Sequence, residues 1–224
     1  MKQQVAVVGL GRFGTAVATE LVRLGHEVLG IDSDINTVQA LSAQLSHVVQ
    51  ADAEDEEILV RLGVGEFDAA VVGITDNLET SILATLMLKR IGVKRVVAKA
   101  RNATHGEILT RVGADRVVYP ERDTGIRVAH SWTSADVTDS LDIIEGYAIS
   151  RAEVPAAIVG QSVQQAFLDR DDVNVTLLLL ARGERVMVYP AAGETLRAGD
   201  TMVLSGALPE MERFFSRIHP APAG

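Results

Sequence analysis

Val5-Ala6-Val7-Val8-Gly9-Leu10-Gly11-Arg12-Phe13-Gly14 is the stretch whose reading decides the fold. Four apolar residues of strand character run into G-x-G-x-x-G, and residues 15–24 then follow a helical apolar period. A second apolar run, 28–31, ends in Asp32, 18 residues beyond Gly14. The glycine pattern alone is weak, because glycines are common. Strand before, helix after and an acid at the end of the next strand make it a nucleotide-binding loop. In that reading Gly9 permits the tight turn, Gly11 lets the backbone approach phosphate, and Gly14 lets the helix pack against the strand. The helix N-terminus offers free N–H groups and a positive dipole end to the anion. Asp32 can accept hydrogen bonds from both ribose hydroxyls and would repel a 2′-phosphate, which disfavours NADP. The bland alternative is a structural turn with Asp32 as a helix cap.

Working outward, short β-branched runs at 47–49, 69–74, 96–98 and 116–118 alternate with helical patterns at 35–45, 56–62, 77–91 and 104–112. Strands that are apolar throughout are expected to be parallel and covered on both faces. Gly25, Gly63, Gly92 and Gly113 stand where helices end. The first part is therefore read as α/β, a Rossmann-like doubly wound parallel sheet. A further helix is expected at 123–131, capped by Asp123 or Thr124, and a hinge or linker at 131–140. Beyond it the pattern changes. Strands are expected at 147–154, 173–180, 185–189 and 201–205, with short helices at 163–168 and 209–218. That is a small α+β C-terminal lobe, and the division expected is 1–138 and 139–219.

Composition removes several classes of function. The chain has 224 residues, 47% of them hydrophobic, enough for a real core. A net charge of −9 argues against general nucleic-acid binding, which needs a basic face. With no cysteine, disulfides, thiolate metal sites and cysteine nucleophiles are excluded. No apolar run approaches the ~18–20 residues of a spanning helix. His26, His47, His105, His130 and His219 lack metal-ligand spacing and are read as surface or core residues. No catalytic constellation of serine, histidine and aspartate is visible.

Ligands of such sheets bind beyond the carboxyl ends of the strands. Besides Gly9, Gly11, Phe13, Gly14 and Asp32, those ends hold Ser33, Asp52, Ala53, Thr75, Asn77, Lys99 and Glu121. Asp52 is placed to meet an adenine amino group and Lys99 a phosphate. Solvated loops and helix caps are the plain alternatives. Arg12 lies inside the loop, where a small residue would suffice for packing. A guanidinium there suits a terminal, highly charged phosphate.

These residues resemble the RCK (KTN) regulatory subunits of Ktr/Trk potassium uptake systems. The resemblance is carried by Val7–Gly14, Gly25-His26-Glu27-Val28-Leu29, Ala51-Asp52-Ala53 with Glu56-Glu57, Val97-Ala98-Lys99-Ala100, and above all the run from Ile108 to Glu121 containing Gly113-Ala114-Asp115. In the second lobe it is carried by Val159-Gly160-Gln161-Ser162, Gly183 and Leu196-x-x-Gly199-Asp200. It spans almost the whole chain and is nearest the KtrA type.

The resemblance implies a cytoplasmic ring, an octamer assembled from dimers, on the inner face of an integral-membrane potassium transporter formed by another chain. It implies ATP and ADP competing at the glycine loop (NAD or NADH in some members), with Arg12 reaching the terminal phosphate of ATP in a neighbouring subunit. Glu121 matches a carboxylate that in some members binds Mg²⁺ or Ca²⁺ at the dimer interface. Ile158, Val159 and Pro190 roughly match a cleft that binds cyclic di-AMP in some members, although Gln161 and Ser162 depart from the family there. The rival readings are an NAD-dependent oxidoreductase, opposed by the short second lobe, and a stand-alone nucleotide-binding module.

Overall fold

The computed structural model describes residues 2–131, 137–169 and 174–218. The described chain divides into two compact units, 1–120 and 121–224.

The first unit carries β1 (Gln4–Val8), α1 (Arg12–Arg23), β2 (Glu27–Asp32), α2 (Ile35–Leu41), β3 (His47–Gln50), α3 (Glu56–Arg61), β4 (Ala69–Val72), α4 (Leu78–Arg90), β5 (Val96–Lys99), α5 (Ala103–Arg111) and β6 (Arg116–Val118). All six strands are parallel, in the order β3-β2-β1-β4-β5-β6. Chain order reverses between β1 and β4, the switch point at which such sheets bind ligands. Two apolar layers cover the sheet. Ala6, Val8, Ile31, Val72 and Ala98 pack with Leu59, Leu88 and Leu109 on one face. Val5, Val7, Val28 and Val71 pack with Ala18 and Leu41 on the other. Burial on both faces is why these strands read as continuous apolar runs.

Each of four helices opens on a capped residue. Asp34, Asp55, Asn77 and Asn102 accept from backbone N–H groups in the first turns of α2, α3, α4 and α5. A side-chain acceptor there satisfies an otherwise orphaned donor. Thr75 and Asp76 precede Asn77, the residue that caps α4. α2 ends at Leu41 rather than 45, and β4 ends at Val72, so Gly73 and Ile74 belong to a loop.

The second unit begins with α6 (Pro120–Ser131) and continues through β7 (Val137–Ile144), β8 (Tyr147–Glu153), β9 (Val175–Arg182), β10 (Arg185–Val188), β11 (Thr201–Ala207) and α7 (Leu208–Ile218). Its five strands are antiparallel in the order β10-β9-β11-β8-β7. Phe167, Phe214 and Phe215 anchor its core, with Phe167 and Phe214 stacked at 5.2 Å.

Two sequence expectations are corrected here. α6 starts at Pro120, not at Asp123, so Asp123 lies within its first turn rather than ahead of it. Proline fits the first helical position because its φ is pre-set and its missing N–H would have been unpaired. Residues 137–140, expected as linker, pair with β8. The register shifts between Val137 and Asp139, which breaks the two-residue period by which a strand is recognised. The rest of the expected hinge, 132–136, lies outside the described residues.

Candidate functional site

The glycine loop joins β1 to α1 at the switch point. Gly9 has φ +84°, and a Cβ there would stand 2.5 Å from Ile74 Cγ1. A Cβ on Gly14 would run into the carbonyl oxygen of Gly9, and one on Gly73 would lie 2.7 Å from the same atom. Three glycines thus let β1, α1 and the loop after β4 close on one another. Gly73 donates its N–H to the Val8 carbonyl at 2.7 Å, and Gly9 donates to Ile31 at 2.8 Å. Gly73 was not legible in the sequence, because its need is imposed by Gly9, 64 residues earlier in the chain.

Gly11 is different. Its φ is −63°, which any residue adopts, and a Cβ there would meet nothing within 4 Å. No protein neighbour requires a glycine at this position. It is the N-cap of α1, its side chain cannot cap, and it lies exposed beside Arg12. The helix behind it has 12 residues and no acid of its own in its first turn to offset its positive end.

Asp32 ends β2 beside this loop. Oδ2 accepts from the Leu10 N–H at 2.6 Å and Oδ1 from the Asp34 N–H at 2.9 Å. Asp32 is therefore no helix cap, the role belonging to Asp34. A carboxylate has about four acceptor sites, so two backbone donors leave room for a diol. Asp52 accepts from the Glu54 N–H at 2.9 Å, which folds the turn after β3, with Ala53 buried under it. Ser33 is exposed, and its carbonyl accepts from the Gln50 amide at 3.0 Å. Lys99 ends β5 with its Nζ 5.7 Å from the centre of the Phe13 ring. Parallel pairing puts the ends of β1 to β5 on one sheet edge. Gly9 to Gly14, Asp32, Ser33, Asp52, Ala53, Thr75, Asn77 and Lys99 all stand there. Asn77 is engaged in capping α4, its Oδ1 accepting from Glu79 and Thr80.

Glu121 lies in the first turn of α6, exposed, in the second unit. Among the described residues no cluster of three or more metal-ligating side chains occurs. Ile158 is 1% exposed in the second unit's own core, whereas Val159 is 40% exposed and Pro190 half-buried. Ile158 is thus spent on packing, and Val159 is the outward residue of that pair.

Several residues of the sequence motifs are structural. Asp115 accepts from the Val96 N–H at 2.6 Å and from Lys89 at 3.0 Å, tying the α5–β6 turn to β5, and both bonds hold its carboxyl below the usual range. Gly113 beside it has φ +114°. Asp200, 1% exposed, takes two guanidinium bonds from Arg182, at 2.8 and 2.7 Å, and one from the Arg197 N–H. Arg182 also donates to Glu194 at 2.9 Å.

A parallel sheet of order 3-2-1-4-5-6 with a glycine loop and terminal acid at its switch point defines a Rossmann-type nucleotide-binding domain, here followed by a small antiparallel lobe. The TrkA-N domain family matches residues 5–120. Ktr system potassium uptake protein C of Bacillus subtilis is 34% identical over 97% of this chain and 98% of its own. Ktr system potassium uptake protein A is 32% identical in B. subtilis, over 95% of each chain, and 33% in Vibrio alginolyticus, over 91% of this chain and 92% of its own. Among solved structures, the RCK domain of GsuK superposes with a TM-score of 0.65 at 16% identity, covering 100% of this chain and 49% of that one. The chain belongs to the Ktr/Trk family of potassium uptake proteins, as an RCK regulatory subunit of the KtrA type. No helix among the described residues is long and apolar enough to cross a membrane.

Proposed function

We propose that this chain is a cytosolic, nucleotide-sensing gating subunit of a potassium uptake system, switched by exchange of ADP and ATP at the glycine loop. The observation that carries this reading is Gly11. Its glycine is unneeded by backbone or neighbours, yet it faces open space at the positive end of α1, where a phosphate would need the room. Asp32 would hold the ribose, Asp52 the adenine edge and Lys99 a phosphate, with Arg12 reserved for a terminal phosphate in a neighbouring subunit. The names of the Ktr relatives point the same way, to potassium uptake.

The switching logic is a population shift. Nucleotides move a conformational equilibrium only by their difference in affinity for its two states. A γ-phosphate bridged to Arg12 of another subunit would supply that difference, since ADP cannot make the bridge. The ring is taken to be an octamer assembled from dimers, with 1–138 as nucleotide-binding part and 139–219 as regulatory lobe. Glu121 pairs would bind Mg²⁺ or Ca²⁺ at the dimer interface, and Val159 and Pro190 would line a site for cyclic di-AMP.

A solved GsuK channel is described as bound to NAD, and it superposes on this chain with a TM-score of 0.63. NAD(H) therefore enters the test beside ATP and ADP. Calorimetry on nucleotide-stripped protein is expected to show ATP and ADP binding directly and NADP binding weakly or not at all. Potassium flux through the reconstituted transporter should differ between the ATP and ADP forms. NADP binding tighter than ATP, or flux indifferent to nucleotide, would overturn the reading.

A further inference from the structure

His105 is 2% exposed in the first turn of α5, and the sequence marks it as nothing more than a core or surface histidine. Its two nitrogens are in unequal positions. Nδ1 accepts the Arg101 N–H at 3.2 Å, so it carries no proton. Nε2 must then bear the hydrogen, and it is buried with no hydrogen-bond partner. A buried donor left unpaired is costly. A leucine or phenylalanine would fill this place without that cost, so packing alone does not account for an imidazole. The Nδ1 bond does.

That bond closes a short circuit in the chain. The His105 N–H donates to Asn102 Oδ1 at 2.9 Å, while Nδ1 takes the N–H of Arg101. Together they pin residues 101–105, the turn that runs from β5 into α5. Lys99, at the start of the turn, stands over Phe13 of the glycine loop. Lys99 and Ala100 are themselves buried, so the turn has little freedom once Arg101 is held.

We propose that His105 is a positioning residue of the nucleotide site, its unprotonated Nδ1 holding the β5–α5 turn so that Lys99 meets phosphate, and that acidification loosens the site by protonating it. The proposal rests on the nucleotide reading above. A protonated Nδ1 is a donor and cannot accept from Arg101, so the turn must open or the ring must move. Burial comes first in keeping the ring neutral, and the positive charge of Arg101 adds to it. From the end of β6 the Tyr119 hydroxyl packs at the neighbouring Gly106. No group on α4 contributes to the shift. Binding then favours the neutral ring, and affinity should fall as pH drops below His105's ordinary range.

The test compares ADP affinity of wild type, His105→Asn and His105→Leu in the full chain between pH 8 and 5.5. Asparagine Oδ1 sits near the place of Nδ1 and accepts at any pH. Titration of ADP itself cancels in the ratio of the two proteins' dissociation constants. Because a single proton is linked, wild type should weaken by roughly threefold to tenfold more than His105→Asn over this range. His105→Leu should bind weakly already at pH 8 and add no dependence of its own. Hydrogen exchange at the Arg101 amide should rise in wild type as pH falls, beyond the intrinsic pH trend, and not in His105→Asn. A constant wild-type to His105→Asn ratio, with Arg101 equally protected in both, overturns the proposal while leaving nucleotide binding standing. Absence of ADP binding in every variant at pH 8 removes the nucleotide reading, and this role with it.

Discussion

Gly14 and Gly11 stand in one loop for different causes, and substitution separates them. Gly14 is forced by the carbonyl of Gly9, backbone that cannot swing aside. Gly14→Ala should therefore lower the melting temperature or prevent folding. Gly11→Ala meets no atom, so the fold should survive with stability lowered by about 1 kcal/mol or less, the cost of alanine at an N-cap that favours glycine. Its nucleotide affinity should nevertheless fall, by roughly tenfold or more if the backbone no longer closes on phosphate. Calorimetry and thermal melting together check both outcomes. Asp32→Ala should weaken every adenosine nucleotide by about 1.5–3 kcal/mol, the range for hydrogen bonds to a charged group. Arg12→Ala should weaken ATP and leave ADP nearly unchanged, because only ATP carries the γ-phosphate. Equal losses for both nucleotides would place Arg12 elsewhere. The glycine spacing and Asp32 were legible because local backbone rules act within 20-odd residues. Gly73 was not, since it owes its role to Gly9 across the sheet, and nor was His105, whose partner Arg101 is local but whose burial is set by packing.

At the scale of elements, the parallel strands were legible almost to the residue, because burial on both faces leaves an unbroken apolar signature. β7 was missed for the opposite reason. It lies at the edge of its sheet, carries Thr138, Asp139 and Ser140, and changes register part-way. The second unit also holds an electrostatic strut whose role no spacing shows. Arg182 on β9 grips Asp200 just before β11, and this bond is the main reason the Asp200 carboxyl is held below its ordinary value of 3.8. A depressed folded value means that the stability is present above the unfolded value and is lost as pH falls through the folded one. Asp200→Asn should destabilise the second unit at pH 7 by about 2 kcal/mol, a loss typical of a charged hydrogen bond. The gap from wild type should close as pH falls below 3.8, in urea unfolding followed by circular dichroism. A gap that persists undiminished at pH 2 would mean that packing, not charge, holds the turn.

The whole molecule poses questions of assembly. Leu86 on α4 and Ile108 on α5 are each 38% exposed, and Ile126 and Val128 on α6 are 43% and 51% exposed. Apolar residues so placed on helices suit the proposed homo-oligomer, and light scattering should give the mass of an octamer. A monomer in every nucleotide state would refute the ring. Two Glu121 carboxylates brought together by a dimer axis would repel unless a cation lay between them. ATP affinity and potassium flux should then depend on Mg²⁺ or Ca²⁺ in the wild type and lose that dependence in Glu121→Gln. Unchanged dependence would assign Glu121 to the first turn of α6, where a negative charge is favoured in any case.

By itself the sequence determined the α/β class, the glycine loop with Asp32, the lack of cysteine chemistry and the family resemblance. Apolar period and turn chemistry are local, and local rules are written in consecutive residues. Tertiary structure decided which acid caps a helix and which faces the loop. It decided that Ile158 serves its own core, and that Asp115 and Asp200 in the recognisable motifs hold the fold together. It brought Lys99 onto Phe13 and buried His105 away from water. Burial, and the meeting of segments distant along the chain such as Lys99 and Phe13, come only from the packing of one element on another.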